Sequence, residues 1–392
     1  MSGGLALLVI GGGPAGFAAA RAFRDAGGGG EVAIVTDEQR MPYERPPLTK
    51  SLLRGETGED ELALEDESWL AEHGVSLVGG RAVTLDPAAR EVTLSGGRRL
   101  RYASCVLATG AEPKRLPVPG ADDPAVRVVR SLDNVRELLV RLDAGSGGVV
   151  VIGSGFIGCE IAASLRRRGQ DVALLSDEPA PNARRLGERA ANEIAAWLRA
   201  DGVSLSLGVE VRAIERRDGQ LSVQAGHRPV GAPVVVMATG VAPRGELAAA
   251  AGAELSHGAV VVDSAMRTGL DGVLAAGDVC LARNDAAGRP LRVEHWGDAL
   301  GQGEVAGRTA AGVQARWDDV PGFWSTIGEH TLKYAAWGDG FDEIRFDAAD
   351  AGRFAAWYGR CGQVVGVLAH DRDDCYERGR ELIAQGATWP PA

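Results

Sequence analysis

The sequence predicts an α/β chain: two Rossmann-like dinucleotide-binding domains, one inserted in the other, followed by a C-terminal α+β domain. Three observations carry this. Gly11-Gly12-Gly13-Pro14-Ala15-Gly16 and Gly153-Ser154-Gly155-Phe156-Ile157-Gly158 are two Gly-rich cradles, each between an apolar strand and a helix of small residues. The strand endings Ala108-Thr109-Gly110 and Ala238-Thr239-Gly240 repeat, and Gly277-Asp278 closes a later strand, so features of a first nucleotide site reappear late. Finally, eight of the thirteen Trp and Tyr residues fall at or after Trp317, where the composition changes.

Each cradle follows a strand, Leu7 to Ile10 and Val149 to Ile152, and opens a helix beginning Phe17-Ala18-Ala19 or continuing into Ile161-Ala162-Ala163. The first glycine makes the tight turn, the second lets a pyrophosphate approach the backbone, and the third lets helix and strand pack closely. The helix N-terminus adds positive potential for the phosphates. The economical division places a first dinucleotide domain at 1–112 and 241–316, a second dinucleotide domain at 113–240, and the α+β domain at 317–392. In the last, strand-like runs Phe354 to Tyr358 and Val364 to Leu368 are joined by a turn at Gly359 to Gly362. A helix is expected around Tyr376 to Gln385.

At 392 residues with 55 Gly, the chain has room for large cores and many post-strand turns. Its 53 acidic against 42 basic residues leave a net charge of −11, which argues against nucleic acid and anionic membranes as partners. The five Cys form no C-x-x-C array, so no zinc or iron–sulfur site and no disulfide framework is expected, and a reducing, cytoplasmic setting fits. No run approaches the ~18 apolar residues of a membrane span. The apolar N-terminus lacks a basic n-region and reads as the first strand. The histidines outside the 292–296 motif are expected to be loop residues without metal-ligand spacing.

Pro42-Tyr43-Glu44-Arg45-Pro46-Pro47-Leu48-Thr49-Lys50, Gly155-Phe156-Ile157-Gly158-Cys159-Glu160, Ala276-Gly277-Asp278 and Val293-Glu294-His295-Trp296 make the chain resemble the FAD-dependent NAD(P)H:ferredoxin reductases. These serve Rieske oxygenases and cytochromes P450, lie in the pyridine nucleotide-disulfide oxidoreductase superfamily, and are related to apoptosis-inducing factor and monodehydroascorbate reductase. The resemblance runs nearly end to end. It implies bound FAD, NAD(P)H as hydride donor, and a small iron–sulfur ferredoxin as the acceptor of single electrons. The alternatives are a quinone, an organic radical or oxygen as acceptor, or a flavin-based redox-sensing module. A monomer or homodimer is expected.

Candidate residues follow. Asp37 and Glu38, after the second strand, suit a carboxylate accepting the adenosine ribose hydroxyls, with Asp37 preferred. The resemblance implies that Asp278 lies near the FAD ribityl and pyrophosphate, and that Val83 and Arg130 line the FAD. It further implies that Lys50 and Glu160 pair beside the flavin, the acid orienting the nicotinamide. The plainer readings are a solvated lysine and a first-turn carboxylate favoured by the helix dipole. His295 and Trp296 either cover a ring or pack at a helix start. The strand Val172 to Leu175 should end in a ribose-binding acid, but Ser176 stands there, followed by Asp177 and Glu178, with Arg184 and Arg185 beyond. NADH is favoured slightly and NADPH is not excluded. Gly322-Phe323-Trp324-Ser325-Thr326-Ile327 keeps the family's Phe-Trp-Ser but not the Asp-Gln that follows it there. None of the five Cys is placed as a flavin-facing pair, so electrons are expected to leave without a thiol relay.

Overall fold

A computed structural model describes residues 4–38, 40–144, 147–217, 219–349 and 352–391. They form two compact units. One comprises Met1–Glu44, Leu62–Glu112 and Ala242–Phe323, and the other Arg45–Glu61, Pro113–Val241 and Trp324–Ala392.

The first unit is organised by a sheet in which Val75–Gly79, Val32–Thr36, Leu5–Ile10 and Arg99–Leu107 lie side by side and parallel, with Val273–Ala275 added beyond Arg99–Leu107. Leu7, Leu8, Val9 and Ile34 are wholly buried, so these strands read as continuous apolar runs rather than alternations, as a sheet covered on both faces requires. The helix Pro14–Asp25 crosses the helix Trp296–Ala310 at very short range. A Cβ on Gly303 would lie 2.3 Å from the Ala15 carbonyl oxygen, and one on Gly307 2.2 Å from that of Ala19.

The second unit contains a parallel sheet ordered Ser204–Ser206, Val172–Leu175, Val149–Ile152, Val234–Met237 and Val126–Arg127. The helix Phe156–Arg167 buries Ile161 and Leu165 completely, each contributing about 1.5–3 kcal/mol. Against it packs the segment Pro46–Thr49, a 3₁₀ turn set up by two prolines, and the short helix Ser51–Arg54. The tail is an antiparallel five-stranded sheet, from Gly322–Ile327 to Gln363–His370, carrying the helix Asp373–Ala384.

Three details of the tail differ from expectation. The turn narrows to Cys361 and Gly362, because Gly359 stays in the strand Phe354–Arg360, where a Cβ would meet the Trp389 ring at 2.5 Å. The helix starts at Asp373, with two acids in its first turn. His330 and His370 are strand residues, not loop residues: both pack on the Trp197 ring, His330 stacked at 4.3 Å and His370 tilted at 4.8 Å. No helix among the described residues is long and apolar enough to cross a membrane.

Candidate functional site: two nucleotide cradles and a buried carboxylate

In the first cradle Gly11 takes φ +125°, and a Cβ there would sit 2.1 Å from the Ala108 carbonyl oxygen. One on Gly16 would lie 2.0 Å from the Gly11 oxygen, so neither position admits a side chain. Gly13 caps the helix in extended conformation and Pro14 occupies its first turn, where a missing N–H costs nothing. Asp37, just past Thr36, is exposed, whereas Glu38 accepts a hydrogen bond from the Tyr43 hydroxyl. At the late strand end Gly277 has φ +83° and its N–H donates to Gln302 Oε1 at 2.9 Å; Asp278 beside it is buried. Val83, on the strand Ala82–Asp86, is half exposed. His295 caps the Trp296–Ala310 helix, with Nδ1 3.0 Å from Asp298 Oδ2 and its ring 4.5 Å from that of Phe323; Trp296 is half-buried.

The second cradle repeats the geometry. Gly153 has φ +105°, with a Cβ 2.4 Å from the Ala238 oxygen, and one on Gly158 would meet the Gly153 oxygen at 1.9 Å. Gly155 faces open space, the condition for a phosphate to come against the backbone. Phe156 and Ile157 form the first turn of the helix, Ile157 half exposed. The two Ala-Thr-Gly endings do the same work in each unit. Thr109 Oγ1 donates to the Arg244 carbonyl at 2.7 Å while Arg244 N–H donates to the Gly110 carbonyl. Thr239 Oγ1 donates to the Lys114 carbonyl at 2.7 Å while Lys114 N–H donates to that of Gly240. These threonines pin the crossing chain beside each cradle.

Glu160 lies one turn into the second cradle helix and is 2% exposed. Lys50 Nζ stands 2.8 Å from its Oε2, the Thr49 hydroxyl donates to that oxygen at 2.5 Å, and the Ser325 hydroxyl donates to Oε1 at 2.7 Å. Ser164 Oγ donates to the Thr49 carbonyl at 2.7 Å, which locks the Pro46–Thr49 segment to the helix. Both carboxylate oxygens are therefore satisfied, the condition for keeping such a group out of water. The surface-lysine reading of Lys50 and the dipole reading of Glu160 do not describe this arrangement. Arg45, from the same segment, donates to the Arg130 carbonyl, and Arg130 N–H donates to Asn134 Oδ1.

A family model described as pyridine nucleotide-disulphide oxidoreductase matches residues 5–303. The chain belongs to that family. Among its relatives, rhodocoxin reductase of Rhodococcus erythropolis is 31% identical over 97% of this chain and 90% of its own length. Human apoptosis-inducing factor 3 is also 31% identical, but this chain spans only 63% of its length. Among solved structures, the ferredoxin reductase for the CYP199A2 system of Rhodopseudomonas palustris superposes with a TM-score of 0.92 at 30% identity, covering 97% of this chain and 95% of that one.

For a member of a family named for disulphides, the five thiols are unpaired. Cys105, Cys159 and Cys280 are buried, and burial pushes each thiol well above its ordinary value, which keeps it protonated and unreactive. The sequence reading missed Thr49 and Ser325 as partners of Glu160. A hydroxyl beside Lys50 was visible in the Pro-Pro-Leu-Thr-Lys run, but nothing local ties Ser325 to a residue 165 positions earlier. Gly303 and Gly307 were also missed, although their spacing of four is the signal for a close helix crossing.

Proposed function

We propose that this oxidoreductase binds FAD on the first cradle, takes hydride from NAD(P)H held on the second, and passes single electrons to a small iron–sulfur ferredoxin. The observation that carries the reading is the buried Glu160 with Lys50, Thr49 and Ser325, placed one helical turn from an open phosphate cradle. The residues fit both nucleotides. Gly11, Gly13, Pro14, Ala15 and Gly16 would hold the pyrophosphate of FAD. Asp37 would hold its adenosine ribose, with Glu38 beside it, and Asp278 would serve the ribityl end. Gly153, Gly155, Phe156, Ile157 and Gly158 hold the second nucleotide. The flavin supplies the conversion of one two-electron hydride transfer into single-electron exits.

Glu160 does the orienting work. Three donors fix the position of its carboxylate, which would favour the positive charge of an oxidised nicotinamide without reorganising. Lys50 keeps the local charge balanced. The names of the relatives, a rhodocoxin reductase and a ferredoxin reductase of a CYP system, support a protein acceptor of the ferredoxin kind. The test is the purified protein's flavin content and its NAD(P)H-driven reduction of cytochrome c with and without added ferredoxins. The expected result is one FAD per chain and ferredoxin-dependent turnover. Ferredoxin-independent turnover would transfer the reading to a diffusible acceptor. Colourless protein that takes up no FAD would end it.

A further inference from the structure

The end of the strand Val172–Leu175 is where a dinucleotide domain of this kind places a carboxylate that selects NADH. Ser176 occupies the place and is turned inward: the Ser154 hydroxyl donates to its Oγ at 2.7 Å, and the Glu178 N–H donates to the same oxygen at 3.1 Å. The two acids that follow are also engaged. Glu178 Oε2 accepts from the Arg184 N–H at 2.9 Å, and Asp177 Oδ2 lies 2.8 Å from the Arg184 guanidinium. That ion pair is open to water, with side chains 67% and 62% exposed. Next to it, the Asn182 N–H donates to the Ser154 carbonyl at 3.1 Å, tying the loop to the cradle, while its side-chain Nδ2 is buried without an acceptor. Arg185, the residue after Arg184, is exposed as well.

We propose that this corner is a binding site for the 2′-phosphate of NADPH, in which Arg184 exchanges Asp177 for the phosphate. The inference rests on the second cradle being the NAD(P)H site and deepens that reading. An exposed ion pair holds weakly and changes partner easily, whereas a phosphate offers a guanidinium two parallel charge-assisted hydrogen bonds. With serine at position 176, the strand-end carboxylate that selects NADH is missing. Asp177 and Glu178 temper the attraction, so the protein uses NADPH and NADH with efficiencies within about tenfold of each other, instead of the near-exclusive NADH use that a strand-end acid imposes.

The test is titration calorimetry of the full-length flavoprotein with 2′,5′-ADP and with 5′-AMP, for the wild type, Arg184→Ala and Asp177→Asn. Both substitutions are at exposed positions and should leave the fold intact, which circular dichroism checks. Wild type should bind 2′,5′-ADP more tightly than 5′-AMP. Arg184→Ala should weaken 2′,5′-ADP by about tenfold or more and 5′-AMP by less than about threefold, while Asp177→Asn should strengthen 2′,5′-ADP severalfold. The NADPH-to-NADH ratio of flavin reduction rates should move in the same directions. Unchanged 2′,5′-ADP binding in Arg184→Ala, or a wild type that prefers 5′-AMP, overturns the inference. If NADH still reduces the flavin in that case, the proposed function survives alone; if the protein binds neither probe and oxidises neither nucleotide, both fall together.

Discussion

Separating Glu160 from Lys50 has a cost that follows from burial. With one partner removed, a pair in a dry site costs about 3–5 kcal/mol, because the remaining charge loses both its partner and its water. Lys50 is 14% exposed and also reaches the Pro46 carbonyl at 3.4 Å, so it is partly relieved when Glu160 becomes Gln, and the lower end, about 3 kcal/mol, is expected. Gln keeps one carbonyl oxygen for either Thr49 or Ser325 and turns an amide toward the other, which adds about 1 kcal/mol. Lys50→Met strands the carboxylate with its two hydroxyl donors and should cost about 2–3 kcal/mol. The double variant removes both charges, so the cycle should show a coupling of about 2 kcal/mol. Guanidinium denaturation at one fixed protein and FAD concentration measures it, since bound cofactor shifts apparent stability. In stopped-flow mixing, Glu160→Gln should slow flavin reduction by NAD(P)H about 10- to 100-fold while FAD stays bound. Additivity within about 0.5 kcal/mol together with near wild-type flavin reduction would refute the reasoning, leaving Glu160 a buried structural acid.

Other expectations follow from single contacts. Gly307→Val should destabilise the first unit by more than about 3 kcal/mol, since its side chain has only the backbone of Ala19 and Phe23 to displace; thermal melts check this against Gly301→Ala on the same helix, which meets nothing within 4 Å. Of the five thiols, exposed Cys361 alone should react rapidly with a maleimide at neutral pH. Folded variants lacking all five should keep acceptor reduction within a few-fold, and a selective loss of acceptor reduction would show a cysteine carrying electrons. His330 is lowered from 6.5 by burial and then by His370, so its native state binds fewer protons than its unfolded state. Stability is undiminished above pH 6.5 and is lost as pH falls from there through the lowered value; Tm measured from pH 7.5 to 5.5 should fall less steeply in His330→Gln.

The sequence by itself determined the strand–cradle–helix units, because Gly16 and Gly158 answer to the carbonyls of Gly11 and Gly153 a few residues earlier, and such constraints are written locally, whereas the contacts of Gly11 with Ala108 and of Gly153 with Ala238 are made only by the sheet. It also determined the resemblance, through runs such as Pro46-Pro47-Leu48-Thr49-Lys50, and that resemblance implied Lys50 and Glu160 as a pair. It could not show that the pair is dry. That depends on Ser325 and Thr49 arriving from distant parts of the chain, and burial is a sum over neighbours that no short window contains. The two histidines on Trp197 were misread for the same reason: the sequence separations from 197 to 330 and 370 carry no periodicity. At Ser176 the sequence showed a missing acid, but which way the serine faces and which partner Arg184 holds were decided by tertiary packing. An exposed side chain is held by whichever opposite charge the fold brings within reach, and only the folded chain sets that neighbour.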